Sequence, residues 1–234
     1  RHDFEFQNFP YPPPGTEQSA VWTQVRRLKP DWVMIWGAGA GQIASLKEAT
    51  RNGIPLDRVV SVNWLNDVDI ANIGAEAAKG IRRATPVVSG TDHPTIKAIL
   101  QELYDKGKGN GDRKLVSDIY YGLGLATYAT IFEGARLALK SEKAPLTAEK
   151  MRKGLESIRN FDAGGLQPAL TVTAKDHGGG GKTRIEMWDG TKWVFTSDWI
   201  EADQQIIKPL VKSTAAKYAA DKKLTPRTPA DCQS

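Results

Sequence analysis

WVMIWGAGAG, residues 32–41, is the stretch whose reading decides the fold. Five apolar residues run directly into a glycine-rich turn, and QIASLKEATRNG follows at 42–53 with helical character. An apolar run without alternation predicts a parallel strand buried on both faces. Ligands of open parallel sheets sit beyond the carboxyl ends of the strands. Trp36 and the turn Gly37-Ala38-Gly39 therefore stand where a small molecule would bind. The next strand-like run, RVVSVN at 58–63, ends on Asn63, and Trp64 follows. Two neighbouring strand ends, each carrying a tryptophan, predict an aromatic-lined cleft.

Working outward, RHDFEFQNFPYPPPG (1–15) alternates and then breaks at prolines, as a strand leaving a sheet would. Thr16 is placed to cap a helix over 17–28 with Val21, Val25 and Leu28 on one face. A helix at 42–52 stopped by Gly53, a strand at 58–63, a short helix in DIANIGAEAAKG and a strand at 80–85 complete a β-α-β-α-β pattern. That pattern predicts a twisted parallel sheet with helices on both faces. After PVVSGTDHP come helices at 95–105, 115–140 and 148–159, the last capped by Thr147. Gly122, Gly124 and Gly134 each cost a helix about 1 kcal/mol against alanine, so close packing is expected there. A strand is expected at 169–174, then a hairpin of TRIEMW and TKWVFT about Asp189-Gly190. Pro209 is expected to open a final helix at 209–221, followed by a loose polar tail.

The composition is that of an ordinary globular chain of 234 residues, 40% apolar and 25% charged. No apolar run approaches the roughly 20 residues of a membrane-spanning helix. No signal-peptide pattern opens the chain at Arg1, so a mature or trimmed chain is expected. A net charge of +5 with scattered basic residues argues for a solvated surface and against a nucleic-acid face. Cys232 is the sole cysteine, which rules out a disulfide within this chain and any multi-cysteine metal site.

The glycine turn invites a dinucleotide-binding reading. The third glycine of G-x-G-x-x-G would fall at Gln42, and the acid expected at the next strand end would fall near Asn63. GGGGKT (178–183) lacks the first glycine of a P-loop, since residue 176 is Asp176, and it runs into a hairpin rather than a helix. A mobile surface loop is expected instead. His2, His93 and His177 are not at ligand spacing, and Asp67, Asp69 and Glu76 read as capping or solvated acids. No nucleophile, base and orienter assemble, so an enzyme is not expected. No cofactor and no metal are expected. Trp22, Trp188, Trp193 and Trp199 read as core or shielding residues, whereas Trp36 and Trp64 need a ligand or a second lobe to cover them.

KPDWVMIWGAGAGQIASLKEATRNGI (29–54), VVSVNW (59–64) and IGAEAAKGI (73–81) together resemble the branched-chain-amino-acid type of periplasmic solute-binding proteins of ABC transporters. Tyr121, Gly124, EGARLAL (133–139) and the hairpin around WDGTKW (188–193) fit the same family. The resemblance implies an α/β, type I, two-lobed periplasmic binding protein with Rossmann-like lobes. Residues 1–84 with 200–234 would form the second, incomplete lobe and 88–197 the C-terminal part of the first, with crossings near 83–90 and 197–205. It implies ligand contacts from Trp36, Gly37, Ala38, Gly39, Asn63, Trp64 and Tyr121. It implies a periplasmic receptor whose partners are a small solute and a membrane permease. Asn63 stands where amino-acid-binding members often carry an acid, which favours an aromatic or other planar acid. The family also carries chain ahead of the segment matched at Arg1, so a C-terminal part is expected, with a missing N-terminal fragment or a swapped dimer as partner. The alternatives are a nucleotide-dependent Rossmann-type enzyme and the sensing domain of a receptor.

Overall fold

A computed structural model describes residues 4–12, 14–141 and 143–225. His2 and Cys232 lie outside them. The strands are β1 (Val33–Ile35), β2 (Val59–Ser61), β3 (Arg82–Thr85), β4 (Lys182–Trp188), β5 (Trp193–Phe195) and β6 (Ile200–Glu201). The helices are α1 (Ser19–Leu28), α2 (Gly39–Arg51), α3 (Asp67–Ile73), α4 (Pro94–Ile99), α5 (Ile119–Ser141), α6 (Ala148–Glu156) and α7 (Gln204–Asp221). The sheet runs β1-β2-β3-β4-β5, parallel through β3 and antiparallel beyond, with β6 paired to the start of β4.

The sheet has one closed face and one open face. Val59, Ile81 and Trp188 lie in a buried row with Ile35 beside it, and they pack on Trp22 and Val25 of α1, Leu46 and Ala49 of α2, and Ile70 of α3. Burying each large apolar side chain there contributes about 1.5–3 kcal/mol. The other face carries Met34, Val60, Arg82 and Met187 in register, half-buried or exposed. β1 is thus not buried on both faces as its apolar sequence predicts. It is an edge strand, and Trp32, Met34 and Trp36 are exposed because they alternate onto the open face. The run 4–12 forms no strand, and Phe4 and Phe6 within it are exposed.

The hairpin departs from the expected lobe division. β4 pairs with β3 over Arg82–Thr85, so 182–195 belongs to the sheet of β1–β3, not to the unit expected at 88–197. The helical unit is α4 through α6, with clusters of Val87, Ile119 and Ala126 and of Ile96, Leu100 and Val116. A π-helical turn, Leu100–Tyr104, extends α4, and a 3-10 turn, Arg113–Ser117, leads into α5. Close approach explains two of the three glycines of α5. A Cβ at Gly122 would collide with the Val88 carbonyl, and one at Gly134 would lie 2.6 Å from Leu155, but Gly124 faces open space.

Local chemistry accounts for the other differences. Gln18, not Thr16, is the N-cap residue of α1, and its buried amide donates to the Gly41 carbonyl at 2.8 Å. Residues 169–174 make only isolated bridges at Leu170 and Thr173. α7 starts five residues ahead of Pro209, because the Asp203 carboxylate caps it by accepting from the Gln205 N–H. α7 carries no buried residue.

Candidate functional site

The carboxyl ends of β1 and β2 bring the two predicted tryptophans together. Ile35 is in register with Ser61, so the residues just beyond are neighbours. The Trp36 and Trp64 rings meet edge to face at 86°, with centroids 6.0 Å apart. Trp36 is 71% exposed and Trp64 36%, so the pair offers an aromatic wall to solvent. Asn63 is half-buried in the turn between β2 and α3. The turn Gly37-Ala38-Gly39 opens α2, whose N-cap residue Ala38 supplies no side-chain acceptor. Close packing constrains this turn, since a Cβ at Gly41 would strike the Pro14 carbonyl, and one at Gly37 would have to push the Tyr11 hydroxyl aside. Gly39 has free space around it and a φ of 55°.

Gln42 holds this wall from behind. Fully buried, it accepts from Ser61 Oγ at 2.7 Å and donates to Asp69 Oδ2 at 2.6 Å and to the Trp64 carbonyl at 3.2 Å. Where a dinucleotide fingerprint has its third glycine, this chain has an occupied buried amide. Burial raises the Asp69 carboxyl above its ordinary range, against hydrogen bonds from Gln42 and Asn66 that favour its charge. Asp69 also completes a capping box with Asn66, so it is structural rather than solvated.

Beside the wall lies a buried polar network. Arg83 donates to Glu186 Oε2 at 2.7 Å, to the Leu65 carbonyl at 2.6 Å and to Ser89 Oγ at 2.8 Å, and Ser89 donates to the second Glu186 oxygen at 2.8 Å. Its guanidinium carbon lies 3.9 Å from the Trp193 ring centroid. The Trp193 indole N–H donates to Asp67 Oδ1 at 2.8 Å. Burial raises the Asp67 carboxyl and lowers Arg83, the latter against the opposing charge of Glu186.

Tyr121 does not join the wall. It packs against the Ile96, Leu100 and Val116 cluster, while its neighbour Tyr120 donates to the Trp64 carbonyl at 3.2 Å. Successive helical residues point about 100° apart, which separates their roles. Burial raises the Tyr120 phenol, so it stays a donor at neutral pH. Two cavities lie elsewhere. One of about 400 Å³ sits between α5 and the Gly178–Lys182 loop, the other of about 560 Å³ between α3 and the Arg113–Ser117 turn. Neither is lined by Trp36 or Trp64, whose rings are exposed. Among the described residues no His, Cys, Asp and Glu cluster could hold a metal ion. No helix among them is long and apolar enough to cross a membrane.

A family model described as periplasmic binding protein matches residues 2–192. The chain belongs to the periplasmic binding protein family. A solved structure described as an ABC transporter permease from the Pseudomonas fluorescens group is 38% identical, over 92% of this chain and 54% of that one, at a TM-score of 0.83. A branched-chain amino acid ABC transporter from Thermus thermophilus with bound valine matches at 19% identity and a TM-score of 0.67, over 83% of this chain and 52% of that one. An ABC transporter solute-binding protein from R. palustris in complex with benzoate matches at 16% identity and a TM-score of 0.56, over 81% and 49%. The two distant matches show the fold alone. Comparison with curated proteins gives no significant match. This periplasmic binding protein chain spans about half the length of the solved relatives it matches.

Proposed function

We propose that this chain is part of the solute-binding receptor of an ABC importer, acting outside the cytoplasm and handing its solute to a membrane permease. The solute is a small carboxylate, with an aromatic acid preferred over an aliphatic amino acid. The observation that carries this reading is the exposed edge-to-face pair of Trp36 and Trp64 at two parallel strand ends. A stacked ring contributes about 0.5–1.5 kcal/mol beyond the area it buries. Asn63 and the uncapped first turn of α2 supply uncharged donors for an acid group. Asn63 supplies no anion to pair with a substrate ammonium.

The benzoate and valine complexes of two neighbours of the same fold supply the two ligand classes to compare. On this reading the strand-bearing unit and the α4–α6 unit are two lobes, joined by the segment after β3 and the return into β4. Calorimetric titration of benzoate and of valine, on the chain and on its Trp36→Ala and Trp64→Ala variants, tests the assignment.

A further inference from the structure

The turn from Trp64 to Asp67 is gripped from two directions. From the strand-bearing unit, Gln42 donates to the Trp64 carbonyl, Arg83 to the Leu65 carbonyl and the Trp193 indole to Asp67 Oδ1. From the head of α5 come two further bonds. Tyr120 Oη donates to the Trp64 carbonyl at 3.2 Å, and the Asp67 N–H donates to Asp118 Oδ2 at 3.1 Å. These partners are 56 and 51 residues apart in the chain. Asp118 is 6% exposed, and its other oxygen accepts from the Tyr120 N–H at 2.8 Å. One buried carboxylate thus serves the first turn of α5 and the first N–H of α3 together.

We propose that Asp118 and Tyr120 form a latch between the helical unit and the Trp64–Asp67 turn, and that Tyr120 is a positioning residue for the Trp64 ring. Swinging the head of α5 away breaks both bonds, and the carbonyl of Trp64 then keeps Gln42 from the other unit. Displacement of α5 is in this way passed to the aromatic wall through the backbone of a single turn. The purpose of the latch rests on the solute-binding reading, but its existence does not. An ordinary capping role for Asp118 would stabilise α5 and leave the Trp64 ring where it is.

The test uses the whole chain labelled with 5-fluorotryptophan, with the Trp64 fluorine resonance assigned by Trp64→Phe and Trp22 as the distant control. Tyr120→Phe is expected to shift or split the Trp64 resonance and leave Trp22 in place. Asp118→Ala is expected to do the same and to speed amide exchange at Asp67 by about tenfold, the scale of one lost hydrogen bond to a charged group. Asp118→Asn keeps one acceptor oxygen and is expected to restore part of both signals. If Asp118→Ala does not fold, Tyr120→Phe decides, because it removes one hydroxyl from a residue that is 44% exposed. A Trp64 resonance unmoved in Tyr120→Phe overturns the proposal, whatever happens to the melting temperature. Benzoate titration separates the two readings. Failure of the unaltered chain to bind counts against the solute reading only, and the resonance still decides the latch.

Discussion

Arg83 and Glu186 meet at 2.7 Å with neither side chain exposed beyond 1%. Adjacent strands supply them, since Arg83 and Glu186 are paired in the β3–β4 ladder. Two charges at this depth are tolerable only because each has further partners, with the Leu65 carbonyl and Ser89 accepting from the two terminal guanidinium nitrogens. Glu186→Gln leaves the buried guanidinium without its counter-charge and is expected to cost about 3–5 kcal/mol in urea unfolding. The double variant Arg83→Met with Glu186→Leu is expected to recover most of that loss. Equal losses for the single and double variants would show that the pair's packing, not its charge balance, holds the sheet.

Two glycines of α5 give a contrast within one helix. Gly122→Ala drives a Cβ into the Val88 carbonyl, which cannot yield as a flexible side chain would, and is expected to lower the melting temperature. Gly124→Ala meets open space and is expected to stabilise by about 0.5–1 kcal/mol, since alanine loses less backbone entropy in a helix. Thermal melts followed by circular dichroism decide it, and the two variants must move in opposite directions.

Asp67 sets a pH dependence whose sign can be worked out. Burial raises its carboxyl in the folded chain, against the Trp193 hydrogen bond and the charge of Arg83. Stability from this group is therefore full below the ordinary carboxyl pKa of about 3.9 and is lost as pH rises through the folded value. Asp67→Asn keeps an oxygen to accept from Trp193 and removes the charge. Its melting temperature is expected to exceed that of the unaltered chain at pH 7, with the gap closing toward about pH 4. A gap that is constant across this range would mean that charge is not the cause.

The β-α-β-α-β order, the Asp189-Gly190 hairpin and the packing at Gly122 and Gly134 were legible because each has a local cause in turn chemistry or periodicity. The exposure of Trp32 and Met34 was not, because hydropathy cannot say whether both faces of a sheet are covered. Nor could the pairing of β3 with β4, which joins Arg83 to a residue 103 positions away. The meeting of Trp36 and Trp64 follows from their places after neighbouring apolar strands. Gln42 was noticed only as a departure from a nucleotide motif, and its use as a buried bridge needs three partners from separate elements. The sequence singles out Tyr121, whereas it is Tyr120 that reaches the Trp64 carbonyl. The one available signal was its position two residues after Asp118, at the helix start, where a side chain can reach back over the adjoining turn.

Binding of an aromatic acid at the Trp36–Trp64 wall is tested most directly by calorimetric titration with benzoate. Benzoate is expected to bind saturably and more tightly than valine, with its affinity weakened about tenfold by Trp36→Ala and by Trp64→Ala and the fold intact by circular dichroism. Valine bound more tightly than benzoate, or benzoate affinity unchanged in both variants, would contradict it.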